Sequence, residues 1–215
     1  MKRPWGNAAI LVLALGACGT TGTEAPPSAP VSAVQRPAAP DTARRPAGTA
    51  PGRSDADVRF MQHMMAHHQQ ARVMSAMVPE RTTRPEIRLI AERIDVSQDD
   101  EMRQMRSWLR RHGVEAPATD AHAAHGEHAS MPGMLTEAEL ARLAAARGAE
   151  FDRLFLEYMI RHHEGAVTMV AELFATPGAA QSSEMYGFAT DVNADQRAEI
   201  ARMRALLAAI AGPRG

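Results

Sequence analysis

The residues of this sequence with the clearest chemical potential are two pairs of adjacent histidines, each preceded by a methionine one helical turn away. They are Met64, His67 and His68, and then Met159, His162 and His163. Residues four apart on a helix are neighbours, with about 5–6 Å between their Cβ atoms, so a thioether and an imidazole can reach one ion. Thioether selects Cu(I), and imidazole also suits Cu(II) and zinc. The pattern therefore predicts a metal site, with copper as the first candidate.

The two triplets lie in a stretch that the sequence contains twice. Residues 57–76 and 152–171 are identical at eight positions in register, at a constant offset of 95. Apolar residues recur at helical spacing in both copies, which predicts a helix with the histidines inside its apolar stripe. Because adjacent residues point about 100° apart on a helix, only one histidine of each pair can face the protein interior squarely.

The duplication continues into a second helix of each half, at an offset of 98. Gln98, Glu101, Met105, Arg106 and Leu109 return there as Gln196, Glu199, Met203, Arg204 and Leu207. Each half is then a helical hairpin, and two hairpins make a four-helix bundle. Aromatic residues make up only 4% of the chain, and helix-favouring residues dominate. The predicted fold is all-α, and packing about a pseudo-twofold axis would bring a His₂Met₂-like set together at mid-bundle.

Capping and turn residues predict the boundaries of these elements. The first repeat is placed at residues 55–112 and the second at 136–211, joined by a His- and Met-rich linker at 113–135. The specific expectations are an N-cap at Ser54 or Asp55, a helix end at Gly113, a capping box of Thr136 and Glu139, a break or bend at Gly148, and a last helix from Ala179 to Ala209.

The first 17 residues have the features of a bacterial secretory signal. Lys2 and Arg3 precede a short apolar run, and the segment Leu15-Gly16-Ala17-Cys18 looks like a lipobox, which implies cleavage before Cys18 and lipid attachment to it. The alternative is an ordinary secretory signal with an incidental cysteine. Residues 19–54 hold seven of the 14 prolines, so residues 18–54 are predicted to form a disordered tether. The folded part would then contain no thiol.

Other candidate ligands lie outside the two triplets. They are His63, and in the linker His122, His125, His128, Met131 and Met134. The linker residues form either a solvated, disordered segment or a segment that captures metal and passes it to the bundle. The helical methionines could instead be core filler, and one histidine of each pair could bond Glu101 or Glu199 across the bundle. Asp57 and Asp152 also recur, and we expect them to bond an arginine such as Arg106 or Arg204.

The duplicated signatures resemble those of the DUF305 family. They read Phe60-Met-x-x-Met64-x-x-His67-His68-x-x-Ala71-x-x-Met74 and Phe151-Asp152-x-x-Phe155-Leu-x-x-Met159-Ile-x-His162-His163-Glu164-Gly165-Ala166, with Met131-Pro-Gly-Met134 between them. The resemblance covers residues 55–211 and implies a ferritin-like four-helix domain of bacterial secreted proteins and lipoproteins. Some members are periplasmic copper-binding proteins linked to copper resistance, so the resemblance also implies copper at the matching methionines and histidines. The first copy departs from the second at Gln69-Gln70, where the second has Glu164-Gly165.

These observations predict a lipid-anchored, extracytoplasmic protein that binds copper for sequestration, resistance or delivery. Its expected partners are the membrane, through Cys18, and a copper donor or acceptor protein. A net charge of −1 gives no basic field for nucleic acid. Di-iron chemistry is disfavoured because neither motif helix contains the Glu-x-x-His pair. Two alternatives stay open: a small metal-dependent redox enzyme that uses the same histidines, and a structural or partner-binding bundle without metal.

Overall fold

The computed structural model describes residues 53–117 and 131–212, and the regular structure in these two ranges is entirely helical. In chain order the helices are α1 (Asp55–Ala76), α2 (Val78–Arg81), α3 (Pro85–Arg111), α4 (Glu137–Ala145), α5 (Gly148–Ala175) and α6 (Ser183–Ala211). None of these helices is long and apolar enough to cross a bilayer. The predicted signal segment, Cys18, the tether up to residue 52, and the linker residues His122, His125 and His128 lie outside the described residues.

The four long helices form a bundle in which α1, α3, α6 and α5 follow one another around the axis. The two hairpins are α1–α3 and α5–α6, as the duplication predicts. Helix α1 runs antiparallel to α5, since Asp57 near the start of α1 accepts a hydrogen bond of 2.7 Å from the Ala180 N–H beyond the end of α5, while His67 and His162 meet halfway. The predicted all-α fold of two duplicated hairpins is confirmed.

Reciprocal caps begin two of the helices where the sequence indicates. At α1, the Ser54 hydroxyl accepts from the Asp57 N–H at 3.1 Å, and the Asp57 carboxylate accepts from the Ser54 N–H at 2.7 Å. At α4, Thr136 and Glu139 make the same pair of bonds. Each cap satisfies N–H groups that have no partner inside the helix. Helix α5 begins at Gly148, so the predicted break between α4 and α5 is also confirmed.

Gly113 ends α3, as predicted. Its φ of 68° lies in the left-handed region that glycine adopts without a steric penalty. The N–H groups of Gly113 and Val114 then turn back to the carbonyls of Arg110 and Leu109, at 3.1 and 2.9 Å. This closure satisfies carbonyls that the helix would leave unpaired.

Helix α6 begins later than predicted, at Ser183 rather than at Ala179. Ala180 has a φ of 51°, which is incompatible with a continuous helix from Ala179. Ser182 is the actual N-cap, and its hydroxyl accepts from the Met185 N–H at 3.1 Å. A run of alanines gave no sign of this turn, because alanine favours a helix wherever tertiary contacts permit it.

The prediction that the two recurring aspartates bond an arginine is confirmed for Asp152 and wrong for Asp57, and neither bonds the arginines named as examples, Arg106 and Arg204. Asp57 bonds only backbone N–H groups of the residues described here, at the N-terminus of α1, where unpaired N–H groups attract a carboxylate. Asp152 pairs with Arg84 at 2.8 Å. Arg204 pairs instead with Glu164, at 2.5 Å.

The core consists of two apolar clusters with polar side chains between them. On each long helix, one stretch joins the first cluster, another joins the second, and buried polar residues separate the two. We call these residues the polar layer, and its members are His67, His68, Gln98, Glu101, His162, His163, Gln196 and Glu199. The fold therefore places both histidine pairs at the middle of the bundle.

Candidate metal centre

The turn of the helix separates each histidine pair into an inner and an outer member. The inner histidines, His67 and His162, meet across the α1–α5 interface, with ring centroids 3.8 Å apart and planes inclined by 33°. The outer histidines, His68 and His163, face α3 and α6. All four side chains are fully buried. The structure thus brings the repeat-equivalent inner imidazoles together, whereas each outer imidazole contacts its own hairpin partner.

Burial keeps the inner histidines uncharged. The pKa of His67 is lowered to about 3, chiefly by desolvation and then by the neighbouring His68 and His163, and the hydrogen bond to Pro132 opposes this lowering. Desolvation also holds the pKa of His162 well below its ordinary value, with His67 as the next contribution. Both imidazoles are therefore neutral at physiological pH. A neutral imidazole is the form that ligates metals.

Hydrogen bonding determines which nitrogens of the inner histidines carry lone pairs. The Pro132 carbonyl lies 3.0 Å from His67 Nε2. A carbonyl can only accept, so the proton is on Nε2 and the lone pair is on Nδ1. That Nδ1 is buried and has no partner among the described residues. Both ring nitrogens of His162 are also buried, and neither makes a well-formed hydrogen bond there, although the His67 backbone is close enough to raise the His162 pKa slightly. An unsatisfied buried polar atom costs about 1–3 kcal/mol, and a ligated ion would offset that cost, so these residues fit a metal.

Each outer histidine bonds a glutamate of the other helix of its hairpin. His68 Nε2 bonds Glu101 on α3, and His163 Nε2 bonds Glu199 on α6 at 2.7 Å. The Ser97 hydroxyl also donates to Glu199, at 2.9 Å. Burial by itself raises the pKa of Glu199, but the bonds from His163 and Ser97 outweigh burial and lower it. These contacts agree with the packing role that the sequence left open for one histidine of each pair.

Met64 and Met159 border the polar layer from opposite sides. Both are fully buried, Met64 in the apolar cluster at one end of the bundle and Met159 in the cluster at the other end. Each lies one turn before the histidine pair on its own helix, so the two thioethers occupy pseudo-equivalent positions. Among the residues that the structure describes, no three side chains of His, Cys, Asp or Glu are placed to hold one ion.

Residues 131–135, which we call the strap, cross the seam between α1 and α5 beside the inner histidines. The Gln70 amide holds the strap through Leu135, accepting from its N–H at 2.7 Å and donating to its carbonyl at 3.0 Å. On α5 the strap passes so close to Gly165 that a Cβ there would lie 2.0 Å from the Pro132 oxygen. Gln70 and Gly165 occupy equivalent positions of the two repeats. The difference between the copies at this position, Gln70 against Gly165, therefore serves to hold and admit the strap.

The remaining candidates that the structure describes lie near the strap. His63 is exposed on α1 and shares a cavity of about 160 Å³ with Met131, which is half-buried. Met134 is buried, with 8% of its surface exposed. The structure therefore separates these residues from the four histidines, except through the strap itself.

The polar layer also contains two residues to which the sequence assigns no role. Gln98 and Gln196 are buried, and both amide atoms of each lack a partner among the described residues. Their recurrence at an offset of 98, in register with the two glutamates, was the available signal. The Pro132 carbonyl that bonds His67 had no signal at all, because every residue has a backbone carbonyl.

The DUF305 family model, which describes a domain of unknown function, matches residues 57–207. No curated protein matches the chain.

Several solved structures are similar to this one. A DUF305 fragment from Deinococcus radiodurans is 35% identical with a TM-score of 0.64, over 74% of this chain and 99% of that one. A candidate secreted DUF305 protein from Streptomyces coelicolor is 30% identical with a TM-score of 0.62, over 74% and 96%. CopM in its Cu(II)-bound form is 30% identical with a TM-score of 0.56, over 70% and 95%. CopM structures with Cu(I) and with Ag bound are similar as well.

Proposed function

This chain is a member of the DUF305 family, and from that premise we propose that it binds copper outside the cytoplasm, for sequestration or delivery. The ion is held in the polar layer by the inner histidines, His67 and His162, together with the thioethers of Met64 and Met159. The outer histidines and their glutamates orient the layer around this set.

The observation that carries the proposal is the pair of inner imidazoles in contact across the α1–α5 interface. The ring centroids are 3.8 Å apart, so the two imidazoles are in direct contact. A shared ion would lie about 2 Å from one nitrogen of each ring. Both rings are neutral and have buried nitrogens without partners. Each outer histidine leaves only Nδ1 without a partner among the described residues, whereas His162 leaves both of its ring nitrogens without one.

The softness of the available ligands favours Cu(I). Since no three imidazole, thiol or carboxylate groups of the described residues meet, thioether sulfur is the natural completion of the set, and thioether selects Cu(I). CopM, with 30% identity, has been solved with Cu(I), Cu(II) and Ag bound, and Ag(I) is likewise a soft ion. The outer histidines support the layer because a carboxylate bonded to an imidazole fixes its ring orientation and tautomer.

An extracytoplasmic location agrees with the same chemistry. The sole cysteine is Cys18, so the ligands of the helical domain are residues that persist in an oxidising compartment, where thiols form disulfides. A similar protein from Streptomyces coelicolor is a candidate secreted protein. We propose cleavage before Cys18 and lipid anchoring there, with a copper donor or acceptor protein as the partner.

The test is a comparison of Cu(I) and Zn(II) affinities after replacement of Met64 and Met159 by leucine. Leucine keeps the volume, so unfolding free energy should change by less than about 1.5 kcal/mol. Cu(I) affinity, measured by competition with a chelator, should fall at least tenfold, and Zn(II) affinity should change little because zinc does not need sulfur from a thioether. The single variant His162→Ala should weaken both ions.

The matched control is the double variant Met105→Leu/Met203→Leu, which replaces another buried, repeat-equivalent pair. It should leave both affinities unchanged. Equal losses of Cu(I) and Zn(II) affinity in the Met64/Met159 variant would exclude the thioethers as ligands. Unaltered binding in His162→Ala would leave only the packing role, and turnover of a redox substrate by the loaded protein would support the enzyme alternative.

A further inference from the structure

A small cavity at the surface collects three soft donors. It has a volume of about 160 Å³ and lies between α1 and α5 at the start of the strap. His63 of α1, Met131 of the strap and Met169 of α5 line it, together with one cationic and one anionic side chain, Arg59 and Glu172. One imidazole and two thioethers around one cavity form a ligand set that favours Cu(I) or Ag(I) over harder ions.

This cavity adjoins the candidate metal centre. Pro132 lines it as well, and the carbonyl of Pro132 is the group that bonds His67. His63 lies one helical turn from His67 on α1. A single strap residue therefore separates an exposed imidazole from a fully buried one.

Within the described residues, the equivalent positions across the pseudo-twofold axis carry different side chains. The repeat-equivalent residue of His63 is Tyr158, whose ring packs under the Arg161 guanidinium at 5.3 Å. The equivalent of Met169 is Met74, which is fully buried. The strap crosses α5 at Gly165, whereas the equivalent position in the first copy is Gln70. Ligands for a soft cation are thus present at the surface beside His63 but not beside Tyr158.

From this arrangement we propose a second, surface site for a soft monovalent cation, formed by His63, Met131 and Met169, through which copper enters the inner site. The inference rests on the proposed function only for the direction of transfer; binding at the surface does not depend on it. Transfer proceeds by exchange of one neutral ligand for another, so no oxidant, reductant or proton is required.

The test uses the full chain with ¹³C-methyl-labelled methionine and Ag(I) as a redox-inert probe for Cu(I). The methyl resonances of Met131 and Met169 report the surface site, and those of Met64 and Met159 report the inner site. The resonances of Met131 and Met169 should shift with the first equivalent of Ag(I). The resonance of Met74, the repeat-equivalent of Met169, should stay in place.

Two variants separate the sites. In His63→Ala/Met131→Leu, the Met169 resonance should no longer shift, and the rate at which the inner resonances shift should fall at least tenfold with the same end point. In His162→Ala, the Met131 and Met169 resonances should still shift while the inner ones do not. The control pair His112→Ala/Met77→Leu, which removes half-buried donors elsewhere, should behave like the wild type.

The outcomes are distinguishable. If the Met131 and Met169 methyl resonances fail to shift with Ag(I) in both the wild type and His162→Ala, the surface site does not exist. If these resonances shift in the wild type but the Met64 and Met159 resonances shift equally fast in His63→Ala/Met131→Leu, the surface site is not the entry route. If they shift while Met64 and Met159 never respond, the surface site stands and the proposed inner site fails.

Discussion

The inner histidines show how burial alone can prepare a residue for metal binding. His67 and His162 are remote from solvent, and desolvation makes their charged forms unfavourable. The Pro132 carbonyl then fixes the proton of His67 on Nε2, which exposes the Nδ1 lone pair to the interior of the layer. Neither effect requires a charged neighbour. The chemistry of these two residues follows from where the helices place them.

The lowered pKa values predict a dependence of apoprotein stability on pH. Because His67 binds a proton less readily in the folded than in the unfolded state, the unfolded state gains protons first as the pH falls. The free energy of unfolding should therefore decrease below pH 6.5, the ordinary value, and continue to decrease towards about 3. Each inner histidine contributes up to about 1.4 kcal/mol per pH unit in this window. Denaturant unfolding of the metal-free protein at pH 7.5, 6.5 and 5.5 measures this change of the unfolding free energy with pH.

The double variant His67→Gln/His162→Gln should lose most of this slope, and His112→Gln should keep it. Measurements above pH 5 avoid the contribution of Glu199, whose lowered pKa makes its stabilisation decline only below about 4.5. A slope that is the same in the double variant as in the wild type would show that the inner histidines are not the groups that titrate.

At the scale of elements, the strap explains why one matched position of the two repeats differs. A glutamine amide has a donor and an acceptor, so Gln70 can hold a backbone N–H and a carbonyl of the same residue. Opposite it, α5 needs a residue without a side chain, because the strap backbone occupies the space of a Cβ at Gly165. The duplicated helix has thus diverged at this position to bind one connecting segment asymmetrically.

Replacing Gly165 with alanine should destabilise the protein although alanine favours helices. The gain in helix propensity is about 1 kcal/mol, but the new Cβ would lie 2.0 Å from the Pro132 oxygen, and overpacking of this kind costs about 1–3 kcal/mol. Hydrogen exchange of the Leu135 amide should also accelerate as the strap lifts. The matched control is Gly187→Ala in α6, where nothing lies within 4 Å of the new Cβ, and it should stabilise. An equal gain for both variants would mean that the strap yields without cost.

At the scale of the whole molecule, the polar layer divides the core into two apolar halves. Eight buried polar side chains at mid-bundle cost stability unless all their groups are satisfied. Each outer histidine bonds its glutamate through Nε2 but leaves Nδ1 without a partner among the described residues, and the inner histidines, Gln98 and Gln196 also carry atoms without partners there. A bundle optimised for stability alone would place apolar residues there, so the polar layer lowers stability relative to an apolar core.

The double variant Gln98→Met/Gln196→Met should stabilise the apoprotein. Methionine has a similar volume, and it removes four buried amide atoms that have no partner among the described residues; each unsatisfied group costs about 1–3 kcal/mol. The control is Gln70→Met, whose amide is fully bonded to Leu135, and it should destabilise. Chemical denaturation of all three proteins gives the signs. Destabilisation by the double variant would show that ordered water or an ion already satisfies the two amides.

The sequence by itself determined the elements, the duplication and the family, because helix periodicity, capping residues and repeated spacing are local properties of the chain. For that reason Ser54 and Thr136 cap their helices and Gly113 ends α3, as predicted. The turn at Ala180 instead involves a hydrogen bond to Asp57, which lies 123 residues earlier in the sequence. Met64, Met159 and the two histidine pairs could be recognised as one set because the chain repeats them at a fixed offset.

Only the tertiary structure decided which histidine of each pair faces its repeat-equivalent, and which bonds a glutamate. Adjacent residues on a helix differ by a rotation of about 100°, and the sequence does not record how a helix is rotated about its axis. That rotation is set by packing against α3 and α5 together. The strap is the other feature that the sequence could not place. It contacts α1 through the backbone carbonyl of Pro132, and it packs on α5 where Gly165 has no side chain.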